Sequence, residues 1–287
     1  MQESNRIYDG ALMNPRWSYS RSKKFRDCNR QIFYDLHHNH GSGTPNSEKI
    51  IPGWKFVGDT VHGTIQRTLE EQFVNHGPLI DDMPMFSWNS MVQYCDDISD
   101  EIISNSNLQI NTNEDQYEIS DRLNLTVKKH LKNWLKYFKH NYRGHQILAI
   151  EEEEVWEYEG VEIKSIIDLL TTKEDAICIT DWKTNRIPRS TQNDPQLMTY
   201  RIWAEQKYPN HSDYRCFFFY TKTGKVSENI ITAKHSEELK NRILEDRTRW
   251  DSEKLEDYPT NPSKMYCNYC KWSGICNDAV KEDIHYL

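Results

Sequence analysis

Three consecutive strand-like segments between residues 146 and 184 place the strongest limit on the fold of this chain. Each is rich in β-branched and aromatic residues, and turn residues separate them at Glu159-Gly160 and at 173–175. A helical pattern over about 193–207 follows, and the chain then returns to strands. In order, the segments read "QILAIEEEEVWEYEG", "VEIKSIIDLLTT", "DAICITDWKT", the helix, "YRCFFFYTK" and a last strand at 225–232. This order predicts an α/β fold with a mixed central sheet flanked by helices.

The chain before residue 145 has helical rather than strand periodicity. Apolar residues recur there at helical spacing, and Ser20 or Ser22 is the predicted cap of the first helix. These helices form either a lobe of their own or the helices of the sheet with an insertion. The predicted helices cover 18–40, 57–75, about 89–104, 123–138 and, after the sheet, 235–252.

Loop-like composition separates several of these elements. Gly, Ser and Pro are frequent at 39–53, and an Asn/Asp/Glu-rich linker is predicted near 105–117. We therefore predict four segments: an N-terminal segment at 1–56, a helical region at 57–145, a core sheet at 146–233 and a C-terminal helix with a cysteine segment at 234–287.

Two acidic residues follow apolar runs in neighbouring strands. Asp168 comes after "IKSII" and Asp181 after "AICIT", and Lys183 shares a strand face with Asp181 because side chains alternate. Paired carboxylates repel each other unless they share a proton or bind a cation, and oxygen ligands suit Mg²⁺ or Mn²⁺. The residues alone leave two interpretations open, a metal site or a surface salt bridge.

An acidic run, Glu151–Glu154, lies on the strand that precedes Asp168. Strand alternation turns half of these side chains inward, which makes Glu152 and Glu154 candidates for supporting a site. A solvated edge is the favoured interpretation.

Three of the seven cysteines are closely spaced near the C-terminus, in "CNYCKWSGIC". No secretion signal precedes them, and disulfides are rare in the cytosol, so metal or cluster ligation is favoured. No apolar run is long enough to cross a bilayer, and we expect a cytoplasmic protein without membrane contact. The net charge of −8 excludes an all-round basic surface but leaves room for a local basic groove.

Further motifs surround the Asp168, Asp181 and Lys183 hairpin. They are an N-terminal S-x-S…F-x-x-C segment (Ser18, Ser20, Phe25, Cys28), a helix with Gly58, His62 and Glu70, a Gln-x-x-x-Tyr helix (Gln196, Tyr200) and the three cysteines. In this order the chain resembles the RecB-type branch of the PD-(D/E)xK nucleases, which includes CRISPR-associated exonucleases and the nuclease module of AddAB. The resemblance runs from residue 18 to 276. It implies a restriction-endonuclease-like core with a helical N-terminal region and a C-terminal cysteine cluster segment.

The resemblance also implies roles for the site residues. His62, Asp168 and Asp181 would bind Mg²⁺ or Mn²⁺ together with the backbone carbonyl of Trp182. Asp168, Asp181 and Lys183 would be catalytic. The implied contacts to the scissile strand, or supports of the site, are Gln196 and Tyr200.

An iron–sulfur cluster is the second implication of the resemblance. Its ligands would be Cys28, Cys267, Cys270 and Cys276, holding a [4Fe–4S] cluster that ties the two ends of the chain together. Zinc is the rival occupant, because sites of four cysteines often hold zinc.

The resulting hypothesis is a metal-dependent DNA exonuclease that acts on single-stranded ends in recombination, repair or DNA processing. Its predicted partners are DNA and a recombination, helicase or CRISPR-type protein. The alternatives are a catalytically silent DNA-binding subunit, a structure-selective endonuclease and an RNA nuclease. The predicted DNA-binding residues are Tyr19, Arg21, Lys23, Lys24 and Arg26, with Trp17, Phe25 and Tyr34 as further rings for base stacking.

Overall fold

The computed structural model of the protein describes nine stretches of the chain. The predicted loop at 39–53, the predicted linker at 105–117 and the end of the last predicted strand lie largely outside them. The described residues are 16–37, 50–82, 86–105, 107–108, 116–187, 194–228, 233–263, 267 and 270–280.

Helices occupy most of the chain before the sheet, as the periodicity predicts. None of the helices among the described residues is both long and apolar enough to cross a membrane. The helices are α1 (Tyr19–Asp27), α2 (Asn29–His37), α3 (Gly53–His76), α4 (Trp88–Ser104), α5 (Gln116–Asn141), α6 (Pro195–Lys207) and α7 (Ala233–Trp250), with 3-10 turns at Ile80–Asp82 and Leu255–Asp257.

Five strands form the main sheet in the order β3-β4-β5-β6-β7. β5 is antiparallel to β4 and parallel to β6, and β7 is antiparallel to β6. The predicted mixed sheet flanked by helices is therefore confirmed. The strands are β1 (Ile50–Ile51) and β2 (Asn107–Leu108), which pair with each other, and β3 (Gln146–Tyr158), β4 (Val161–Lys173), β5 (Ala176–Lys183), β6 (Asp213–Tyr220) and β7 (Lys225–Glu228).

The chain divides into two compact units. The first unit comprises 1–45, 155–164 and 240–282, and the second comprises 46–154, 165–239 and 283–287. The four predicted segments stay a prediction.

The core of the second unit is built from the helix faces that the sequence pattern predicts. On α3, Val61, Ile65 and Leu69 recur every four residues and are fully buried. On α5, Leu131 and Trp134 belong to the same hydrophobic cluster. Burial of each such side chain contributes about 1.5–3 kcal/mol, so these helices are held by packing against the sheet-forming residues of this unit.

β5 is a central strand of the sheet, and this position explains its composition. Every residue from Ile177 to Trp182 is buried, as expected where a strand is covered on both faces. Trp182 is 1% exposed and meets Trp134 edge-on at a ring-centroid distance of 6.1 Å. The strand therefore holds Asp181 and Lys183 on a rigid base.

In the first unit, Trp17 pairs with Ile163 near the beginning of β4. The backbone N–H of Trp17 donates to Glu162 at 2.8 Å, and the backbone N–H of Lys164 donates to Trp17 at 2.8 Å. The Trp17 indole N–H donates to Asp246 Oδ2 at 3.0 Å, and Arg26 binds Oδ1 of the same buried carboxylate at 3.0 Å. These contacts fix α1 within the unit.

The first predicted helix is two helices. Ser18, and not Ser20 or Ser22, caps α1 by accepting a hydrogen bond from the Arg21 backbone N–H. Cys28 separates α1 from α2 with extended backbone angles, φ −161° and ψ 110°. The spacing of apolar residues in the sequence does not reveal this break, because a single extended residue leaves that spacing nearly unchanged.

Candidate metal centre and cysteine cavity

Four elements of the second unit bring the predicted site residues together. His62 lies on α3, Asp168 on β4, Asp181 and Lys183 on β5, and Gln196 and Tyr200 on α6. The α3 helix approaches β5 closely at Gly58, where an added Cβ would lie 3.5 Å from Thr184 Oγ1. Among the motif residues, Glu70 lies outside this group, since it is exposed and accepts a hydrogen bond from Gln66 at 2.9 Å.

Three side chains form a group that could hold a cation: His62, Glu151 and Asp168. Their ligand atoms all lie within 4.8 Å of one another. His62 Nδ1 is 3.6 Å from Glu151 Oε1 and 3.5 Å from Asp168 Oδ2. One imidazole nitrogen and two carboxylates are a donor set that suits a divalent ion such as Mn²⁺.

Glu151 was not predicted as a site residue, because strand alternation favoured Glu152 or Glu154. In the structure Glu152 is exposed, and Glu154 pairs with Lys207. Glu151 reaches the site because its backbone leaves the strand conformation, with a φ of 47° that non-glycine residues rarely adopt. Such a residue interrupts the regular alternation of a strand and redirects its side chain.

The carboxylate of Glu151 is incompletely satisfied within the protein. Its Oε1 atom is buried and has no hydrogen-bond partner among the residues that the structure describes. A buried oxygen without a donor is costly, and a cation would satisfy it. The residues present therefore fit a divalent metal ion.

The pKa shifts of Asp168 and His62 also favour a bound cation at this group. Burial and the repulsion of Asp181 raise the pKa of Asp168 to about 8. Burial lowers the pKa of His62, but Asp168, Glu151 and Asp181 together outweigh it and raise this pKa to about 9. The site thus places three carboxylates close to two cationic side chains, and a divalent ion would favour the ionised form of Asp168.

Asp168 is held by the backbone of the neighbouring strand. The Trp182 N–H donates to Asp168 Oδ2 at 2.6 Å, so the carboxylate is fixed beside His62. The predicted use of the Trp182 carbonyl as a metal ligand stays a prediction.

Asp181 and Lys183 belong to a hydrogen-bonded network beside the metal group. Lys183 Nζ lies 2.6 Å from Asp181 Oδ2, and it donates to Gln196 Oε1 at 3.0 Å. Gln196 Nε2 donates to Asp181 Oδ1 at 2.7 Å and to the Tyr200 hydroxyl at 2.8 Å. The Tyr200 hydroxyl in turn donates to the Ile166 carbonyl at 2.7 Å. Gln196 and Tyr200 therefore orient the aspartate and the lysine.

Lys183 keeps its charge in this network. Burial alone would lower the pKa of its ammonium, but the neighbouring Asp181 outweighs burial, and the pKa is raised. The ammonium also lies 4.8 Å from the centre of the Phe218 ring. A charged lysine beside the metal group is placed to interact with an anionic substrate.

The four predicted cluster cysteines line one cavity in the first unit. Cys28, Cys267, Cys270 and Cys276 all border it, as does Arg30. None of the four is in a disulfide. Burial raises the pKa of Cys270 to about 11, and the other three cysteines add to the rise.

The closeness of the four cysteines indicates what the cavity could bind. Four thiolates in one another's field repel unless a cationic group binds them. The residues around the cavity therefore fit an all-thiolate metal or cluster site.

The predicted DNA-binding segment has many partners inside the first unit. Arg26 binds Asp246, Lys23 pairs with Asp27 at 2.9 Å, and Arg21 contacts the Arg16 carbonyl. The Arg242 guanidinium lies over the Tyr19 ring, while Lys24 is exposed. A DNA-binding role for these residues stays a prediction.

Three aromatic rings of the same region cannot stack on bases. Trp17, Phe25 and Tyr34 are 0%, 1% and 7% exposed, which corrects the expectation that they present free faces to a nucleic acid. Their spacing near basic residues is explained by packing instead. Phe25, for example, meets Trp250 edge-on at 6.1 Å.

The site described above has the arrangement of carboxylates and lysine that its motifs led us to expect of a nuclease. The family model described as the PD-(D/E)XK nuclease superfamily matches residues 16–277. The chain belongs to this superfamily.

Solved structures and curated proteins add little beyond the family. The "Putative exonuclease" from Eubacterium rectale is similar at 13% identity over 99% of this chain and 96% of that chain, with a TM-score of 0.49. The structure of SSO0001 is similar at 15% identity over 91% and 96%, with a TM-score of 0.27. No curated protein matches the chain.

Proposed function

We propose that this protein is a divalent-metal-dependent exonuclease that hydrolyses DNA at single-stranded ends. The observation that carries the proposal is the group of His62, Glu151 and Asp168, whose ligand atoms lie within 4.8 Å of one another beside Asp181 and Lys183. Membership of a nuclease superfamily supports phosphodiester hydrolysis. Recombination, repair or DNA processing in the cytoplasm is the expected setting, and a helicase or CRISPR-type partner stays a prediction.

The metal would be held by His62, Glu151 and Asp168, with Asp181 adjacent. A divalent ion there would polarise the phosphoryl oxygen and lower the pKa of a water molecule. The imidazole in the set favours Mn²⁺ over Mg²⁺, because Mg²⁺ prefers oxygen ligands. Both ions belong in the test.

Lys183 is the residue best placed to stabilise charge that develops on the phosphate. Its ammonium is anchored by Asp181 and Gln196, so little reorganisation is needed when a substrate phosphate arrives. Tyr200 restrains Gln196 from the other side. These residues would hold and orient the reacting groups.

The activity test uses single-stranded DNA labelled at one end, with Mg²⁺ or Mn²⁺, and a circular single strand beside it. We expect shortening of the linear strand and none of the circle. Lys183→Ala and Asp181→Ala should each lower the rate by about 10²-fold or more, since each removes a fixed charge next to the reacting phosphate. Lys225→Ala, an exposed lysine on β7, is the matched control.

Two outcomes would contradict the proposal. Activity at the wild-type level in Lys183→Ala or Asp181→Ala would remove these residues from the mechanism. Cleavage of the circular strand would show an endonuclease instead.

For the cysteine cavity we propose a [4Fe–4S] cluster bound by Cys28, Cys267, Cys270 and Cys276. The support is that four cysteines line one cavity although Cys28 lies far away in the sequence from the other three. The cluster would tie α1 to the C-terminal segment and stabilise the first unit. Zinc remains the rival occupant.

A further inference from the structure

One tryptophan stands apart from the other eight in this chain. Trp54 is 66% exposed, whereas the remaining tryptophans are buried or half-buried. Tryptophan is enriched at contact sites, because its large ring combines an apolar body with a polar N–H.

The position of Trp54 relates it to the metal group. Trp54, Gly58 and His62 are spaced four residues apart on α3 and so form one row along the helix. At one end of this row, His62 lies 3.5 Å from Asp168. In the middle, Gly58 lies against Thr184, directly after Lys183. The row therefore leads from the metal group, past the end of β5, to the exposed indole.

The length of this row matches a nucleic-acid strand. Eight residues of helix separate Trp54 from His62, a rise of about 12 Å. Stacked bases repeat every ~3.4 Å along a strand, so the indole lies a few base steps from a phosphate bound at the metal group. Gly58 adds no side chain between the two positions.

We propose that Trp54 is a base-stacking subsite for the substrate strand and that it favours single-stranded over duplex DNA. This inference rests on the proposed nuclease function and names the substrate class of the same site. An unpaired base can turn its flat face toward the indole, whereas a base inside a duplex is stacked on its neighbours. Because every base has such a face, the subsite accepts any sequence.

The buried aromatic rings of the first unit cannot stack on bases as Trp54 can. Trp17, Phe25 and Tyr34 have no exposed face for a base, so these three rings cannot supply the stacking that a single-stranded end needs. Trp54 is an exposed aromatic residue on the helix that carries His62.

Binding without turnover tests the inference. Fluorescence anisotropy of a labelled single-stranded oligonucleotide, in EDTA, would be measured for the wild type, Trp54→Ala and Trp54→Phe. We expect Trp54→Ala to bind about tenfold more weakly and Trp54→Phe to retain most of the affinity. A labelled duplex should show a much smaller loss. Val74→Ala, 80% exposed near the other end of α3, is the matched control and should bind like the wild type.

An oligonucleotide of abasic sites gives a second measurement. Without bases to stack, the wild type and Trp54→Ala should bind it equally. Equal affinity of Trp54→Ala and the wild type for the normal single strand would overturn the inference. An equal loss on duplex and single strand would overturn the stated preference.

Failure of the proposed function would look different. In that case the wild type would not hydrolyse DNA, or the simple diester bis(p-nitrophenyl) phosphate, with Mn²⁺ or Mg²⁺, whatever the binding results. If the wild type hydrolyses DNA while Trp54→Ala shows unchanged affinity and unchanged KM, the nuclease assignment stands and the stacking subsite is wrong.

Discussion

Thr221 holds the carbonyl oxygen of Lys183 with two donors, its backbone N–H at 2.9 Å and its hydroxyl at 3.2 Å. The hydroxyl oxygen lies 2.7 Å from Nδ1 of the buried His130. With the hydroxyl donating to Lys183, its oxygen accepts a hydrogen bond from Nδ1 of His130. Asn133 adds a hydrogen bond to the Thr221 carbonyl at 2.9 Å. Helix α5 thus fixes the backbone of Lys183 through Thr221.

Thr221→Val tests this positioning, because valine keeps the shape and the backbone N–H but lacks the hydroxyl. We expect kcat to fall about tenfold or more with KM little changed, since Lys183 is displaced slightly. The unpaired His130 N–H should lower the free energy of unfolding by about 1–3 kcal/mol. Thr221→Ser restores the hydroxyl and should recover most of the rate. Full activity of Thr221→Val would show that the hydroxyl is not needed.

The stability of the fold should depend on pH through His130. Burial and the nearby Lys222 lower the pKa of His130 to about 4, below the ~6.5 of an unfolded chain. The unfolded state therefore takes up a proton first, and this residue costs stability as the pH falls from about 6.5 toward 4, with no effect above that window.

Urea denaturation at pH 7.5 and pH 5 of the wild type and His130→Gln measures this effect. The loss of stability between the two pH values should be smaller in His130→Gln, because glutamine can donate to Thr221 without titrating. Contributions of other groups, such as His62, cancel in the comparison. The same pH dependence in both proteins would contradict the prediction.

Glu151→Gln should weaken divalent-metal binding by at least about tenfold, since it removes a charge from the donor group while keeping the size of the side chain. Isothermal titration with Mn²⁺ measures the affinity. Glu152→Gln, one residue away and exposed, is the control and should bind like the wild type. Unchanged Mn²⁺ affinity in Glu151→Gln would exclude this residue as a ligand.

Cys28→Ser should lose most of the bound iron and sulfide and the visible absorbance of anaerobically purified protein, because one of four thiolate ligands is removed. Cys178→Ala, a buried cysteine of β5, is the control and should retain them. Stoichiometric zinc without iron in the wild type would establish the rival occupant.

Much of the fold follows from the sequence because its periodicities are strong. The apolar run of β5 and the four-residue recurrence on α3 each lead to the observed element. The grouping of His62 with Asp168 also follows from the ordered motifs. These signals are local, and the elements that carry them are buried along most of their length.

Other features depend on single backbone angles or on long-range packing, which the sequence pattern does not reveal. Glu151 joins the metal group only because its φ is positive, and strict alternation assigns a neighbour instead. Cys28 interrupts a helix without changing the apolar spacing. The buried Trp17 donates a hydrogen bond to Asp246, which is 229 residues away.

The irregular backbone at Glu151 has a consequence for association between molecules. In the order of the main sheet β3 is the outermost strand on one side, and an outer strand exposes backbone groups that can pair with another chain. Leu79 covers its first residue, Gln146, through an isolated bridge. Beyond that point the distorted residue and the charged run Glu151–Glu154 oppose the addition of a strand. The glutamates of β3 therefore disfavour edge-to-edge aggregation of the sheet. One of them, Glu151, also belongs to the metal group.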